Sequence, residues 1–281
     1  MPPEALSPRR PRLLVTDLDG TLLTSRRTVT DTTVAGLAAA RDAGLTLAVA
    51  SARPLRLIEA VLGPEVIKLF TALIVSNGAA VLDAATGTLL AEQALSPEHT
   101  RTAIERLRAQ WPGAGFGWES GTEFGCDAAF LELTRTEPIL RDAHPDRVTP
   151  EPAGTANQLV MSVAGIKPAE LLAPAAAVLG GAYDVTDSLG GVTEVAPAGV
   201  SKATAAALWA KSIGLGLADV VAFGDEHNDL PLLTAAGLGV AMGNAADHVK
   251  AAARSVTAGN DEDGVARFLT EHLLPTLRGA Q

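Results

Sequence analysis

Two aspartates, Asp17 and Asp19, with one residue between them, follow the apolar run Leu13–Thr16, and Gly20 comes next. In an extended chain, residues i and i+2 share a face, so both carboxylates can address the same substrate. One carboxylate can attack a phosphoryl group and form an aspartyl-phosphate. The other can give a proton to the leaving group and later activate water. The pair is typical of phosphoryl-transfer chemistry, and Gly20 allows a sharp turn after it.

A carboxylate that approaches a phosphate dianion meets strong repulsion, roughly 4 kcal/mol per pair of unit charges at about 4 Å and an effective dielectric of about 20. Mg²⁺ removes most of this repulsion, and it prefers oxygen ligands, commonly one or two carboxylates with substrate and water. Asp225 follows another apolar run, Val220–Phe223. The sequence therefore predicts a Mg²⁺ cofactor held by Asp17 and Asp225.

Further polar residues follow other apolar runs of the chain. Ser51 and Arg53 come after Leu45–Ala50, and Asn77 comes after Ala72–Val75. In open parallel sheets the carboxyl ends of the strands gather the functional side chains. Ser51 and Asn77 offer neutral hydrogen-bond donors to a phosphate. Lys202, which opens a predicted helix, adds a point charge.

Apolar runs and helical patterns alternate in the first and last thirds of the chain, which predicts parallel βαβ units with buried strands. The predicted strands are Leu13–Thr16, Leu45–Ala50, Ala72–Val75, Val220–Phe223 and Leu238–Ala241. The predicted helices are Asp31–Ala43, Pro54–Leu62, Ser201–Ile213 and Asp229–Ala236.

The pattern changes in the middle of the chain, where helices mix with hairpin-like strands. The predicted elements there are a hairpin over Val81–Leu90, helices Pro97–Trp111 and Ala169–Leu179, and a strand Leu159–Val163. We therefore predict an α/β protein. Its Rossmann-like parallel-sheet core, residues 1–84 and 198–281, is interrupted by an inserted α+β domain, residues 85–197.

The bulk composition excludes several classes of protein. A net charge of −10 argues against nucleic-acid binding, and any anionic substrate needs a local cation. Cys126 is the one cysteine, so no intramolecular disulfide forms, and no Cys/His cluster suggests zinc. Residues 1–11 lack a long apolar segment, so we expect no signal peptide, no membrane span and a cytoplasmic protein. The oligomeric state is not predicted.

Four short motifs resemble those of the haloacid dehalogenase superfamily of phosphohydrolases. Asp17–Thr21 (DLDGT) is similar to the first motif, Ser51 to the second, Lys202 to the third, and Gly224–Asp229 (GDEHND) to the fourth. Leu238–Asn244 and residues 255–266 are similar to the Cof-type branch, whose cap domain lies between the second and third motifs. The resemblance covers residues 12–84 and 197–274, and it fades over the inserted domain.

This resemblance implies roles for the acidic residues. Asp17 would be the nucleophile and a metal ligand. Asp19 would be the general acid/base and would give its backbone carbonyl to Mg²⁺. Asp225 would be the other metal ligand, and Asp229 a ligand or a support for one.

The resemblance also implies a phosphate-binding group. Ser51, Lys202 and Asn228 would hold the phosphate, with Asn77 and Arg53 beside them. The family often has glycine between the second-motif hydroxyl residue and its arginine, where this chain has Ala52. The extra methyl group could reshape access for the leaving group, but it removes no catalytic group.

Three functions fit these residues. The first is a phosphatase that acts on a small phosphorylated metabolite, such as a sugar phosphate or a phosphorylated cofactor. The second is a sugar phosphomutase or phosphotransferase that returns the phosphoryl group to an acceptor. The third is a phospho-acceptor signalling module, against which stand the chain length, the inserted domain and Asp19.

Other reactive residues have simpler interpretations. His227 occupies a variable position of the fourth motif, so we do not expect a metal ligand there. Cys126 is expected to be a thiol that is buried or lines the cap, with no partner to activate it. In the inserted domain, Phe116, Trp118, Glu119 and Glu123 could face a substrate, but the aromatic residues suit its core.

Overall fold

The computed structural model describes residues 10–135, 145–188 and 190–278. In chain order the strands are β1 Leu13–Thr16, β2 Thr46–Ala50, β3 Ala72–Val75, β4 Ala80–Asp83, β5 Leu89–Glu92, β6 Gly115–Ser120, β7 Glu123–Cys126, β8 Arg147–Val148, β9 Gln158–Ser162, β10 Tyr183–Thr186, β11 Thr193–Pro197, β12 Val220–Gly224, β13 Leu238–Ala241 and β14 Ser255–Val256. The α-helices are α1 Asp31–Asp42, α2 Leu55–Ile67, α3 Pro97–Gln110, α4 Ala128–Leu133, α5 Pro168–Leu179, α6 Lys202–Ser212, α7 Leu230–Ala235, α8 Asp247–Ala252, α9 Gly264–Phe268 and α10 Leu274–Arg278.

The chain divides into two compact units. The core unit comprises the described residues of Met1–Ser51, Ile58–Ala91 and Ser201–Gln281. The inserted unit comprises Ala52–Leu57 and the described residues of Glu92–Val200. The predicted core ended at residue 84 and already included β4, whereas the core unit runs to Ala91, because β5 extends the core sheet.

The core unit is built on an eight-stranded sheet in the order β14-β13-β12-β1-β2-β3-β4-β5. The strands from β14 to β3 run parallel, and β4 pairs with β3 in the antiparallel direction. This arrangement confirms the predicted α/β fold with a parallel-sheet core. The first strand of the chain, β1, lies between β12 and β2, so its carboxyl end is flanked by two other strand ends.

Helices bury both faces of this sheet, which explains the continuous apolar runs of its strands. On one face, Leu13 and Val15 of β1 join a cluster that includes Trp209 of α6. On the other face, the ring of Phe223 in β12 meets that of Phe268 in α9 edge to face, with centroids 5.6 Å apart. Because both faces of the sheet are packed, β1 holds a fixed position and so constrains the residues that follow it.

The inserted unit has its own six-stranded sheet, in the order β10-β11-β9-β6-β7-β8. Helices α3 and α5 cover one face, where Phe116 and Trp118 belong to the hydrophobic core. Those two aromatic residues are therefore structural, as their type suggested. A smaller cluster that includes Phe124 and Cys126 lies in the same unit, and Cys126 is buried as predicted.

The two glutamates singled out in the inserted unit both form ion pairs. Glu119 is buried, and its Oε1 lies 2.6 Å from Nη2 of Arg56. Glu123 is exposed and lies 3.2 Å from Arg147. Within the described residues, no helix has the length and apolar character needed to cross a membrane.

Candidate active site

Asp17 follows β1 directly, at the carboxyl end of the core sheet. Its backbone N–H donates to the carbonyl of Phe223 at 3.0 Å, which continues the β1–β12 ladder by one residue. Asp225 follows β12, so the parallel register brings the two aspartates together although they are far apart in sequence. Both side chains are buried. The predicted convergence of Asp17 and Asp225 at one sheet edge is therefore present.

Lys202 is the first residue of α6, and it is buried between two carboxylates. Its Nζ donates to Oδ1 of Asp17 at 2.6 Å and to Oδ1 of Asp229 at 2.7 Å. Burial disfavours the charged form, but the two carboxylates more than offset this effect and raise the pKa of Lys202 above its ordinary value. Lys202 is therefore a fixed cation at the centre of the site.

Asp229 uses both of its carboxylate oxygens within the protein. Oδ1 accepts from Lys202, and Oδ2 accepts from the backbone N–H groups of Asp225 and Glu226, each at 3.1 Å. Gly224 makes this contact possible, since a Cβ atom there would lie 2.5 Å from Cβ of Asp229. Of the two roles left open for Asp229, these bonds favour support of the site over direct metal binding.

Asp225 is held from the turn that follows β1. Its Oδ1 accepts from the hydroxyl of Thr21 at 2.6 Å. Burial raises the pKa of Asp225 to about 7, against the lowering effect of that hydrogen bond. Gly20 has a φ of +74°, and a Cβ atom there would lie 2.2 Å from Oδ2 of Asp225. The glycine is thus required by this close approach as well as by the turn.

Asp17, Asp225 and Asp229 each offer one oxygen atom to a cluster in which these atoms lie within 4.8 Å of one another. Such a buried set of oxygen donors suits a hard divalent cation, and carboxylates are the ligands that Mg²⁺ takes in proteins. A divalent cation would also offset the burial that raises the pKa of Asp225. The residues present therefore fit a Mg²⁺ site.

Asp19 lies outside this acidic cluster. It is exposed and has an extended backbone, with φ −75° and ψ 124°, inside the turn Leu18–Leu22. A general acid/base must reach both the leaving group and the attacking water, and a solvent-accessible carboxyl group can do so.

Hydrogen bonds join three of the predicted phosphate-binding residues, Ser51, Asn77 and Asn228. Ser51 and Asn77 are joined through the backbone, because the N–H of Asn77 donates to the carbonyl of Ser51 at 2.9 Å. The Nδ2 of Asn228 donates to Oδ1 of Asn77 at 3.0 Å. Arg53 is buried, but it belongs to the segment Ala52–Leu57 that clusters with the inserted unit.

Two side chains that contact the acidic residues had no predicted role. Thr21 is the last residue of the first motif, and its hydroxyl binds Asp225. Asn244 closes the stretch Leu238–Asn244, and its Nδ2 lies 3.5 Å from Oδ2 of Asp225. His227 is exposed, and its ring centroid lies 6.2 Å from that of His248.

Comparisons with known proteins find similar chains over nearly the whole sequence. A profile of the haloacid dehalogenase-like hydrolases matches residues 14–269. The chain is 29% identical over 282 residues to pyridoxal phosphate phosphatase YbhA of Escherichia coli, and the alignment covers 94% of this chain and 99% of that protein. It is 28% identical over 266 residues to the 5-amino-6-(5-phospho-D-ribitylamino)uracil phosphatase YcsE of Bacillus subtilis, covering 94% and 96% of the two chains.

Two further matches differ in extent. A solved phosphatase of the haloalkanoate enzyme superfamily from Bacteroides thetaiotaomicron superposes with a TM-score of 0.78 and 26% identity, covering 96% of this chain and 99% of that one. A local match, 50% identical over 78 residues, spans 27% of the length of stress response protein YhaX of Bacillus subtilis and 28% of this chain.

Proposed function

Because the chain belongs to the haloacid dehalogenase-like hydrolases and is a phosphatase, we propose that it hydrolyses a small phosphorylated metabolite in a Mg²⁺-dependent reaction through an aspartyl-phosphate on Asp17. The observation that carries this proposal is the buried contact of Lys202 with Asp17 and Asp229, next to Asp225. The contact supplies an oriented carboxylate and a fixed cation at one point.

Asp17 would carry out the first half of the reaction. Lys202 holds Oδ1 at 2.6 Å and so fixes the plane of the carboxylate. An oxygen of Asp17 attacks phosphorus, and the bond between phosphorus and the leaving-group oxygen breaks. Asp19, in its protonated form, gives its proton to that oxygen as the alcohol leaves.

Asp19 would then carry out the second half as a base. It removes a proton from a water molecule, whose oxygen attacks phosphorus. The bond between phosphorus and the Asp17 oxygen breaks, which releases inorganic phosphate and restores the carboxylate. Asp19 ends this step protonated, ready to donate again, and its exposed position suits this double use.

The carboxylates of Asp17 and Asp225, with the backbone carbonyl of Asp19, would hold Mg²⁺, and Asp229 would support them. When bound, Mg²⁺ supplies the positive charge that lets a carboxylate approach a phosphate. Lys202, Ser51, Asn228, Asn77 and Arg53 would bind the phosphate oxygens. We assign residues 1–84 and 198–281 to the catalytic core and residues 85–197 to a cap that selects the leaving group.

The names of the relatives and the charge of the chain both support this class of substrate. Two relatives that match nearly the whole chain are named for small phosphorylated molecules, pyridoxal phosphate and 5-amino-6-(5-phospho-D-ribitylamino)uracil. This chain carries a net charge of −10, which does not suit a polyanionic partner such as nucleic acid. A small phosphorylated metabolite therefore fits best.

The direct test is the variant Asp17→Asn, assayed with p-nitrophenyl phosphate in the presence of Mg²⁺ or a chelator. We expect kcat to fall by a factor of about 10³ or more, because the amide is a far weaker nucleophile. Chelation should abolish turnover by the wild type. Release of inorganic phosphate from a sugar phosphate, without an isomerised product, separates hydrolysis from phosphomutase activity.

A matched control makes the same chemical change outside the site. Asp42 ends α1 with 75% of its side chain exposed, and Asp42→Asn should keep wild-type turnover. Turnover by Asp17→Asn at the rate of Asp42→Asn would rule out the aspartyl-phosphate mechanism.

A further inference from the structure

Asn244 lies in the loop between β13 and α8, and its amide joins three segments of the core unit. The Nδ2 group donates to the backbone carbonyl of Gly20 at 2.8 Å. The same Nδ2 lies 3.5 Å from Oδ2 of Asp225. On its other side, Oδ1 of Asn244 accepts from the backbone N–H of Asn260 at 3.0 Å. The side chain therefore connects the turn after β1, the residue after β12 and the loop before α9.

The orientation of this amide is determined by its partners. A backbone N–H can only donate, so the oxygen of Asn244 must face Asn260. The NH₂ group must then face Gly20 and Asp225, whose nearest atoms are a carbonyl oxygen and a carboxylate oxygen, both acceptors. An aspartate in place of Asn244 would turn an oxygen toward these two acceptors.

Both groups that Asn244 contacts belong to the proposed Mg²⁺ site, since one is the backbone carbonyl next to that of Asp19 and the other is the carboxylate of Asp225. The carbonyl of Gly20 comes one residue after that of Asp19, so binding it fixes the turn that presents the Asp19 carbonyl. The carboxylate of Asp225 is flanked by Thr21 on Oδ1 and by Asn244 on Oδ2. The Asn244 amide and the Thr21 hydroxyl thus both link the turn after β1 to Asp225.

Asn244 is exposed, so it contributes little to the packing of the core unit. Hydrogen bonds between exposed groups add little to global stability, because water replaces them in the unfolded chain. They can still determine the position of a loop whose other contacts leave some freedom. This side chain suits a role in geometry better than a role in folding.

We infer that Asn244 is a positioning residue for the Mg²⁺ site, which holds the Asp19–Thr21 turn and Asp225 in the geometry that binds the ion. This inference rests on the proposed Mg²⁺-dependent function. It assigns a role to the chain's own amide and requires no contact between Asn244 and the ion.

The test measures the binding of Mg²⁺ alone to the full chain, by calorimetry and by the rise in melting temperature with Mg²⁺ concentration. For Asn244→Ala we expect the dissociation constant for Mg²⁺ to rise about tenfold, because the variant loses roughly one hydrogen bond that holds the bound geometry. The melting temperature of the metal-free variant should stay within about 2 °C of the wild type.

Asn260→Ala is the matched comparison. It removes the bond from Nδ2 of Asn260 to the carbonyl of Leu23, but it keeps the backbone N–H that binds Asn244. It alters no contact to Gly20 or Asp225, so its Mg²⁺ dissociation constant should stay within about threefold of the wild type.

The outcomes separate this inference from the proposed function. Wild-type affinity in Asn244→Ala would overturn the inference and leave the phosphatase proposal standing. Equal losses in both variants would also overturn it, because general anchoring of the loops would then explain the effect. A wild-type chain that shows no Mg²⁺ binding would overturn the proposed function and this inference with it.

Discussion

At the residue scale, Lys202 has the least usual surroundings in the site. It is 1% exposed, and it compensates two carboxylates at once, since Asp17 and Asp229 both bind its Nζ. Burying a charge is costly unless it is paired and hydrogen-bonded. The three residues are therefore interdependent, and removal of the cation leaves two buried anions without their partner.

We predict that Lys202→Met lowers both stability and turnover. The methionine fills a similar volume, so the main change is the loss of charge. Breaking a buried ion pair by removing one partner costs about 3–5 kcal/mol, and we expect a loss of that order in the free energy of unfolding measured in urea. Turnover of p-nitrophenyl phosphate should fall by at least about 100-fold, since Asp17 loses its orientation.

Lys211, in the last turn of the same helix, provides the control. It is exposed, so Lys211→Met makes the same substitution without breaking a buried pair. For Lys211→Met we expect the free energy of unfolding to change by less than about 0.5 kcal/mol. Similar losses of stability in the two variants would contradict the structural role of Lys202.

At the scale of elements, the turn after β1 is built around the approach of a distant loop. Gly20 has a positive φ, and its missing side chain leaves room for the carboxylate of Asp225. A residue with a Cβ atom would meet two separate costs there, one from the backbone conformation and one from the collision. The two costs can be separated by comparison with another glycine of similar φ.

Gly20→Ala should therefore be more damaging than an ordinary substitution in a turn. We expect the free energy of unfolding to fall by about 2 kcal/mol or more, and turnover to fall at least about tenfold, because Asp225 must move. Gly87 has a φ of +69° and nothing within 4 Å of a Cβ atom, so Gly87→Ala reports the backbone cost alone. Equal stabilities for the two variants would show that the collision is absent.

The elements of the core could be predicted well because burial on both faces leaves a simple pattern. The predicted strands Leu13–Thr16, Ala72–Val75 and Leu238–Ala241 match β1, β3 and β13 residue for residue. Helix ends were less exact. The predicted helix Asp31–Ala43 starts at the correct residue, with the hydroxyl of Thr30 as its cap, but α1 ends at Asp42.

Some helices and strands depend on contacts that a local pattern does not contain. Helix α2 was expected to end at Leu62, but it bends at Gly63, which has a φ of +68°, and continues to Ile67. Strands β6 and β7 were not predicted, since their glycines disfavour strands in isolation. There Gly125 makes room for the indole of Trp118, and Gly117 lies against Phe124.

The same distinction applies to the site. Lys202 was assigned to the site by its resemblance to the third motif, and Asp17 and Asp225 could be placed together because the ends of parallel strands meet at one edge. The contacts of Thr21 and Asn244 could not, because loops separated by 204 and 224 residues meet there only through tertiary packing.

At the scale of the whole molecule, the protein and its proposed substrate carry net charges of the same sign. The net charge of −10 repels a phosphate dianion at long range, whereas Lys202 attracts it only close to the site. Salt screens the long-range part first, since the Debye length falls to about 10 Å at 0.1 M ionic strength. The balance of the two effects can be measured.

We predict that kcat/KM for p-nitrophenyl phosphate rises about twofold between about 20 and 200 mM NaCl at saturating Mg²⁺. The value of kcat at saturating substrate should change less, because it does not include the encounter. A decrease of kcat/KM over this range would instead mean that a local positive potential governs the approach of the substrate.

The position of β1 between β2 and β12 has a consequence for biosynthesis. On the ribosome, β1 and β2 emerge early, but the strand that covers the other edge of β1 is made only after the whole inserted unit. Until then, Asp17 has neither Lys202 nor Asp225 beside it. A nascent chain can therefore assemble its reactive centre only after the inserted unit and β12 have been made, and truncated products that stop before Asp225 carry an open sheet edge and no complete site.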